Sequence, residues 1–180
     1  MVYSYQEILK KLGSRSLIEK ALKNKELFRL KDDVYSDSDI VNPMVVISKK
    51  YVNAIITMDS AFYYYNLTDV IPQKVHVATS RDARKINDSE VIQYYLNNDI
   101  LNHGKTQVDV HGNSVNMYDK ERLLIELIRK RASIPFDYYK EIIENYRQIS
   151  YELDMYKIEE YVALFKNEVN LFDILQREVF

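Results

Sequence analysis

Three glycines and three prolines in 180 residues leave this chain little of the usual punctuation. Loops are therefore expected to be short and helix content high, with chain reversals carried by caps and polar turns. The capping signals become the most informative marks in the sequence. Ser4-Tyr5-Gln6-Glu7 has the form of a capping box, in which a serine caps the helix start and a glutamate three residues on reaches back to it. Ile8 and Leu12 follow at helical spacing and Gly13 closes the segment, which predicts a first helix. Ser16-Leu17-Ile18-Glu19 repeats the box and predicts a second helix to about Leu22 or Lys23. Leu27-Phe28-Arg29-Leu30, the polar Lys31-Asp32-Asp33 and Val34-Tyr35 read as a strand, a turn and a return strand. Helix, turn, helix and hairpin in that order is the outline of a winged helix, with one helix fewer before the wing than a complete one has.

Charge is distributed unevenly along this outline. The chain carries a formal net charge of -2, yet residues 1–31 hold eight Lys/Arg against three Glu, and the remainder is acidic. A basic head on an acidic body suits a polyanion at one end, and equally suits a short Lys-rich helix kept soluble. The second helix is the sharpest candidate for contact. Ser14, Arg15, Ser16 and Lys20 lie at its start and along one side, leaving Leu17, Ile18, Ala21 and Leu22 to face a core. A helix N-terminus with hydroxyls favours phosphate, and an arginine there can reach guanine edges in the major groove. Lys23, Lys25, Arg29 and Lys31 would then neutralise phosphates from the helix end and the wing. The alternative is a solvated amphipathic face.

Ser36-Asp37-Ser38-Asp39 is the predicted boundary between a winged-helix-like DNA-binding module at 1–38 and a second domain at 39–180. In that domain Met44-Val45-Val46-Ile47-Ser48 is predicted as a strand, and a helix is expected from near Thr57 to Asn66 or Leu67. Lys74 to Thr79 alternates as a strand should, and Ile92 to Leu96 fits strand or helix. Two strands flank His111-Gly112-Asn113 as a hairpin. Asp119 is expected to cap a helix from Lys120 to about Arg131, and Pro135 to occupy the first position of the next, which runs to about Ile149. Helical stretches near Asp154–Phe165 and Glu168–Val179 complete the chain. The fold class is thus α+β: a short N-terminal winged-helix-like module, then a mixed α/β domain with a helical C-terminal tail.

Catalytic signatures are missing. Without cysteine there are no disulfides, thiolate metal sites or thiol nucleophiles, which fits a reducing cytoplasm. The histidines are His76, His103 and His111; Asp109 and His111 could share one side of a strand, but no third ligand follows at a motif spacing. There is no phosphate-cradling glycine loop, no nucleophile elbow and no zinc-protease motif. Paired carboxylates, Glu141 with Glu144 and Glu159 with Glu160, sit among Lys and Arg as solvated ion pairs do. The expectation is a protein that is not an enzyme, without catalytic residues, metal or cofactor. Sixteen tyrosines are many; even Tyr63-Tyr64-Tyr65, a possible stacking surface, fits better as core with hydroxyls at its boundary. No apolar run approaches the roughly 18 residues that cross a bilayer, so no membrane partner and a cytoplasmic location are expected.

Several segments resemble the AbiEi-type antitoxins of abortive-infection phage-defence systems. Tyr51 to Asp69, with Asn53-Ala54-Ile55-Ile56-Thr57 and Ser60-Ala61-Phe62-Tyr63-Tyr64-Tyr65, is similar to a characteristic stretch of that family. Val75-His76-Val77-Ala78-Thr79 resembles the strand after it, Glu121-Arg122-Leu123-Leu124-Ile125-Glu126 a later helix, and Leu27 to Tyr35 the wing. The motifs occur in the family's order over nearly the whole chain. The head is shorter than the family's by about a helix, Asp33 stands where the wing often has glycine, and Glu126 replaces an aspartate. The resemblance implies a type IV antitoxin and autoregulatory repressor that binds the promoter DNA of its own operon. It also implies that the chain opposes a co-encoded nucleotidyltransferase toxin without forming a stable complex, with Glu121, Arg122 and Glu126 as family-motif residues of structural or antitoxic role. The alternative is a protein-interaction or antitoxin-only protein whose winged-helix head no longer binds DNA.

Overall fold

The computed structural model describes residues 1–165 and 170–180. It is a mixed α/β protein, with nine α-helices and two sheets among the described residues and a helix at its end. The chain forms two compact units, Met1–Ala54 with Gln107–Asn116, and Ile55–Thr106 with Met117–Phe180.

In the first unit, β1 (Val2–Ser4) leads directly into α1 (Tyr5–Leu12), followed by α2 (Arg15–Lys23), β2 (Phe28–Lys31) and β3 (Val34–Ser36). The capping box at α1 is present: the Glu7 backbone N–H donates to Ser4 Oγ, and the Ser4 backbone N–H donates to Glu7 Oε2 at 2.7 Å. Gly13 ends the helix as a left-handed cap at φ +88°, and no atom lies within 4 Å of the place a Cβ would occupy. The second box is not used. Ser14 caps α2, its hydroxyl accepting from the Leu17 N–H, because the chain re-enters a helix directly after Gly13, two residues before Ser16 could cap it. Strand β3 lies between β1 and β2 in an antiparallel sheet of order β1-β3-β2. Strand β1 is an element with no signal of its own in the sequence, since three residues are too few to show alternation. The small core between helices and sheet is Ile8, Ile18, Ala21, Leu27 and Tyr35, with Leu9, Leu12 and Leu22 packed against it.

Asp33 makes the β2–β3 turn at φ +61°, and its carbonyl accepts the Tyr5 N–H at 2.9 Å. Aspartate tolerates this left-handed conformation better than most residues, at a cost glycine does not carry. Asp33→Gly is therefore expected to raise unfolding stability by a few tenths to about 1 kcal/mol, read as a higher urea midpoint. A lower midpoint would mean that the carboxylate itself holds the turn.

Met44 to Ser48, predicted as a strand, belongs instead to α3 (Pro43–Lys50). The Asn42 side chain accepts the Met44 N–H at 2.9 Å and Pro43 presets the first turn. A four-residue apolar run has no period that separates strand from helix, and the caps decide. Met44, Val45, Val46 and Ile47 are all buried, and α3 packs on all three strands of this sheet. Lys49 Nζ reaches Glu7 Oε2 at 2.9 Å, tying α3 to the start of α1.

The second unit begins with the two-residue β4 (Ile55–Ile56), then α4 (Met58–Tyr64), β5 (Val75–Ser80), β6 (Val91–Leu96) and α5 (Asn98–Leu101). The segment Ile92–Leu96, open between strand and helix in the sequence, is strand because it pairs in parallel with β5 along its whole length. With β7 (Lys105–Val110) and β8 (Asn113–Tyr118) the sheet order is β6-β5-β4-β8-β7. Val75 to Thr79 are buried without alternation, as befits a strand covered on both faces.

Helix α6 (Lys120–Arg129) is the axis of the unit. Every residue from Glu121 to Ile128 is buried, and α4, α8 (Met155–Ala163) and α9 (Leu171–Glu178) pack around it. It stops at Arg129, where a 3₁₀ turn over Arg131–Ser133 takes over, so the helix ends short of the predicted Arg131. Pro135 is the N-cap of α7 (Phe136–Gln148) rather than its first residue, a one-residue shift. The predicted start of the last helix at Glu168 lies outside the described residues. Two buried tyrosines place their hydroxyls on backbone carbonyls, Tyr118 donating to Leu101 O at 2.7 Å and Tyr146 to Lys120 O at 2.9 Å, while Tyr161 donates to the Asp119 carboxylate.

Candidate functional site

Ile18 and Ala21 turn one side of α2 into the core and thereby fix which side faces water. Arg15, Ser16, Leu17, Lys20 and Lys23 are exposed, while Ser14 is half-buried with its hydroxyl engaged on the Leu17 N–H. Leu17 departs from the predicted core set. It is 48% exposed, because one of four apolar positions on so short a helix falls outside the arc the core can cover. An apolar side chain amid hydroxyls and cations is the kind that meets a thymine methyl in a major groove.

The cations are not equivalent. Arg15 Nε is bound by Glu19 Oε1 one turn along at 3.0 Å, and Arg29 Nη2 by Asp32 Oδ1 at 2.9 Å. Glu19 lies one helical turn after Arg15 on α2, whereas Asp32 sits in the turn after strand β2, where no helical spacing applies. Exposed pairs of this kind are worth about 0.2–1 kcal/mol, so a phosphate can displace the carboxylate at small cost. Lys20, Lys23 and Lys25 are exposed and have no ion-pair partner among the described residues, and Lys31 is half-buried on β2. The three exposed lysines are the charges most available to a phosphate chain.

Glu121, Arg122 and Glu126 lie in the second unit and are buried. Arg122 Nε and Nη2 donate to Glu126 Oε1 at 3.1 and 2.8 Å, and Nη1 donates to the carbonyls of Ile100 and His103. Arg129 reaches Glu126 Oε2 at 3.0 Å. The Phe165 ring lies under both guanidinium groups, at 5.1 Å from Arg122 and 3.8 Å from Arg129. Glu121 Oε1 accepts the Asp154 N–H, at the start of α8. Asp119 caps α6 and also accepts from Lys157 and Tyr161. Arg122 and Glu126 are thus held by several protein partners within and beyond α6, and Glu121 by the Asp154 N–H.

The Asp109–His111 pair does not form a ligand set. His111 lies past the end of β7 in the hairpin turn, at φ +52°, and Asp109 Oδ1 accepts the Gly112 N–H. Among the described residues no group of three or more His, Cys, Asp or Glu is placed to hold a metal. No helix among them is long and apolar enough to cross a membrane.

The fold is that of a mixed α/β protein with a helical end. It is similar to the crystal structure of the RV2827C protein from Mycobacterium tuberculosis, with a TM-score of 0.63 over 91% of this chain at 12% sequence identity. The chain spans 66% of the length of that structure, and at such identity the likeness is one of fold alone. No protein-family profile and no curated protein matches the sequence.

Proposed function

We propose that this chain is a DNA-binding antitoxin-repressor of the AbiEi type, whose head reads promoter DNA and whose body opposes a nucleotidyltransferase toxin. The observation that carries the DNA half is topological. Strand β1, helices α1 and α2, then β2, a two-residue turn and β3, in a sheet of order β1-β3-β2, support reading the head as an abbreviated winged helix. In this reading α2 is the recognition helix, the Asp32–Asp33 turn is the wing tip, and α3 packs against the sheet as the third helix. The exposed face of Arg15, Ser16, Leu17 and Lys20 has the mixed chemistry of base readout, and Lys23 and Lys25 lie beside it as phosphate contacts. The antitoxin half rests on the sequence resemblance.

A mobility-shift titration on the duplex upstream of its gene, at two salt concentrations, tests the first half. Retardation should weaken steeply with salt, and Lys20→Ala with Lys23→Ala should flatten the log–log salt slope by about 2. No retardation at low salt, from folded protein, would remove DNA binding from the proposal. The second half is tested by growth of cells expressing the neighbouring toxin, which the full chain should restore. Rescue without any shift would favour an antitoxin-only protein, a reading to which the Arg15–Glu19 and Arg29–Asp32 pairs lend weight because they already occupy two of the head's cations.

A further inference from the structure

The strands that end a sheet expose backbone groups that need either an occupant or a deterrent against further pairing. Strand β1 has an occupant, since the Val2 N–H donates to Asn113 Oδ1 at 3.0 Å. Strand β2 carries Arg29 and Lys31, and β7 carries Lys105 and Asp109, charges that discourage another strand. The remaining edge, β6, reads Val91-Ile92-Gln93-Tyr94-Tyr95-Leu96 and contains neither charge nor proline.

Its register fixes which backbone groups are open. Strand β6 pairs in parallel with β5 from Val75–Val91 to Ser80–Leu96. At the two ends of that ladder the Val75 N–H donates to Glu90 O and the Arg81 N–H to Leu96 O. Bonds between parallel strands recur at every second residue, so Ile92, Tyr94 and Leu96 face β5. The N–H and C=O groups of Gln93 and Tyr95 therefore point outward, and they have no other backbone partner among the described residues. Val91 points outward too, with its N–H turned back onto Asp88 O. The link between β5 and β6 is held by the Gln93 side chain, through Arg84 O and the Ile86 N–H, and not by the backbone of the edge. Ile92 and Tyr95, on opposite faces, are 36% and 45% exposed, so both sides of the edge reach solvent.

We propose that β6 pairs antiparallel with β6 of a second copy of this chain, joining two five-stranded sheets into one across a two-fold axis. With the axis at Tyr94, Gln93 of each copy exchanges both backbone bonds with Tyr95 of the other, which satisfies every one of their outward groups. Ile92 then lies opposite Leu96 of the second copy, and the two Tyr94 side chains meet at the axis, apolar and aromatic pairs that favour association. The ends of the strands are complementary in charge. Arg81, exposed beside the end of β6, comes toward Glu90 of the second copy at the start of its strand, while the neighbouring Asp82 is engaged by Asn98. A two-fold pairing of this kind consumes both free edges at once, whereas a head-to-tail stack would leave one open.

Sedimentation of the full chain over a concentration series should show a reversible monomer–dimer equilibrium. Its Kd is expected on the order of 1–100 µM, because a single strand edge buries less than a standard interface. In NMR hydrogen exchange the Gln93 and Tyr95 amides should gain about tenfold protection above that concentration, while Tyr94 and Leu96, bonded to β5, are protected throughout. Ile92→Lys places a charge on the edge and should weaken dimerisation at least about tenfold. Tyr95→Pro removes an outward donor and leaves the β5 ladder intact, with the same expected loss. Gln107→Lys, on the already charged β7, should leave the equilibrium unchanged. A monomer up to roughly 500 µM, with both amides unprotected, would overturn the proposal and leave the edge to a strand of another protein. A dimer indifferent to Ile92→Lys and Tyr95→Pro, or one that leaves the two amides unprotected, would overturn it equally. The exchange experiment needs no variant, so it decides even where a substitution unfolds the chain. No DNA is present in any of these measurements, so their outcome is separate from that of the mobility shift.

Discussion

Arg122→Ala should lower the unfolding free energy by about 3–5 kcal/mol, the cost of removing one partner from a buried ion pair. For a chain of this length that corresponds to a fall in Tm on the order of 10 °C. Arg122 is 0% exposed and Glu126 2%. Truncation takes two donors from Glu126 and leaves the carbonyls of Ile100 and His103 without the guanidinium. It also removes the cation stacked against Tyr118 and Phe165. Arg129 remains on Glu126 Oε2 and limits the loss, so Glu126 is not stranded entirely. The double replacement Arg122→Met with Glu126→Leu should recover part of the stability, because an apolar pair of similar volume avoids the desolvation of both charges. Thermal and urea unfolding of the single and double variants beside the parent measure this directly. A loss below about 1 kcal/mol in Arg122→Ala would show that water enters and that the pair is not closed off as described.

Gly104→Ala is expected to be nearly as damaging, at about 2–5 kcal/mol from two sources. Gly104 sits at φ +78°, where an L side chain is strained, and a Cβ there would lie 2.4 Å from Arg122 Cβ and 2.9 Å from Arg122 Cγ. The first of these contacts is with the root of the side chain, which cannot rotate away. The loop is also tied from the other direction, since the Asp119 N–H donates to Gly104 O at 2.8 Å. Gly112 supplies the control: it has the same φ of +78° but nothing within 4 Å of the added carbon. Gly112→Ala should therefore cost only the backbone share, about 1–2 kcal/mol. The difference between the two urea midpoints isolates the steric part. Equal effects would mean that the loop carrying Gly104 shifts freely from Arg122.

Around Arg122, local and distant information separate cleanly. Glu121, Arg122 and Glu126 could be picked out of the chain as motif residues, and the i, i+4 spacing of Arg122 and Glu126 allowed a pair on one helix face. Nothing in the spacing said that α6 would be covered on every side, which turns a solvated pair into a buried one. That depends on α4, α8 and α9, which reach α6 from distant parts of the chain. The basic face of α2 was legible because helical period and charge are local. Its cap was not, because Ser14 and Ser16 both satisfy the local rule and the short link after Gly13 chose between them. The uncharged edge at β6 was invisible, since which strands end the sheet is set by the pairing of β4 with β8, far apart in the chain.

By itself, then, the sequence determined the alternation of helix and hairpin in the head, the capping of α1 and α6, and the placement of the cations along α2, all consequences of interactions within a few residues. The tertiary structure decided that Met44–Ile47 would be helix, that β1 would close the first sheet, and that Arg122 would lose all contact with water. Each of those outcomes depends on burial against residues far along the chain, and burial sets the energy of an apolar run, a short strand or a charge far more strongly than local preference does.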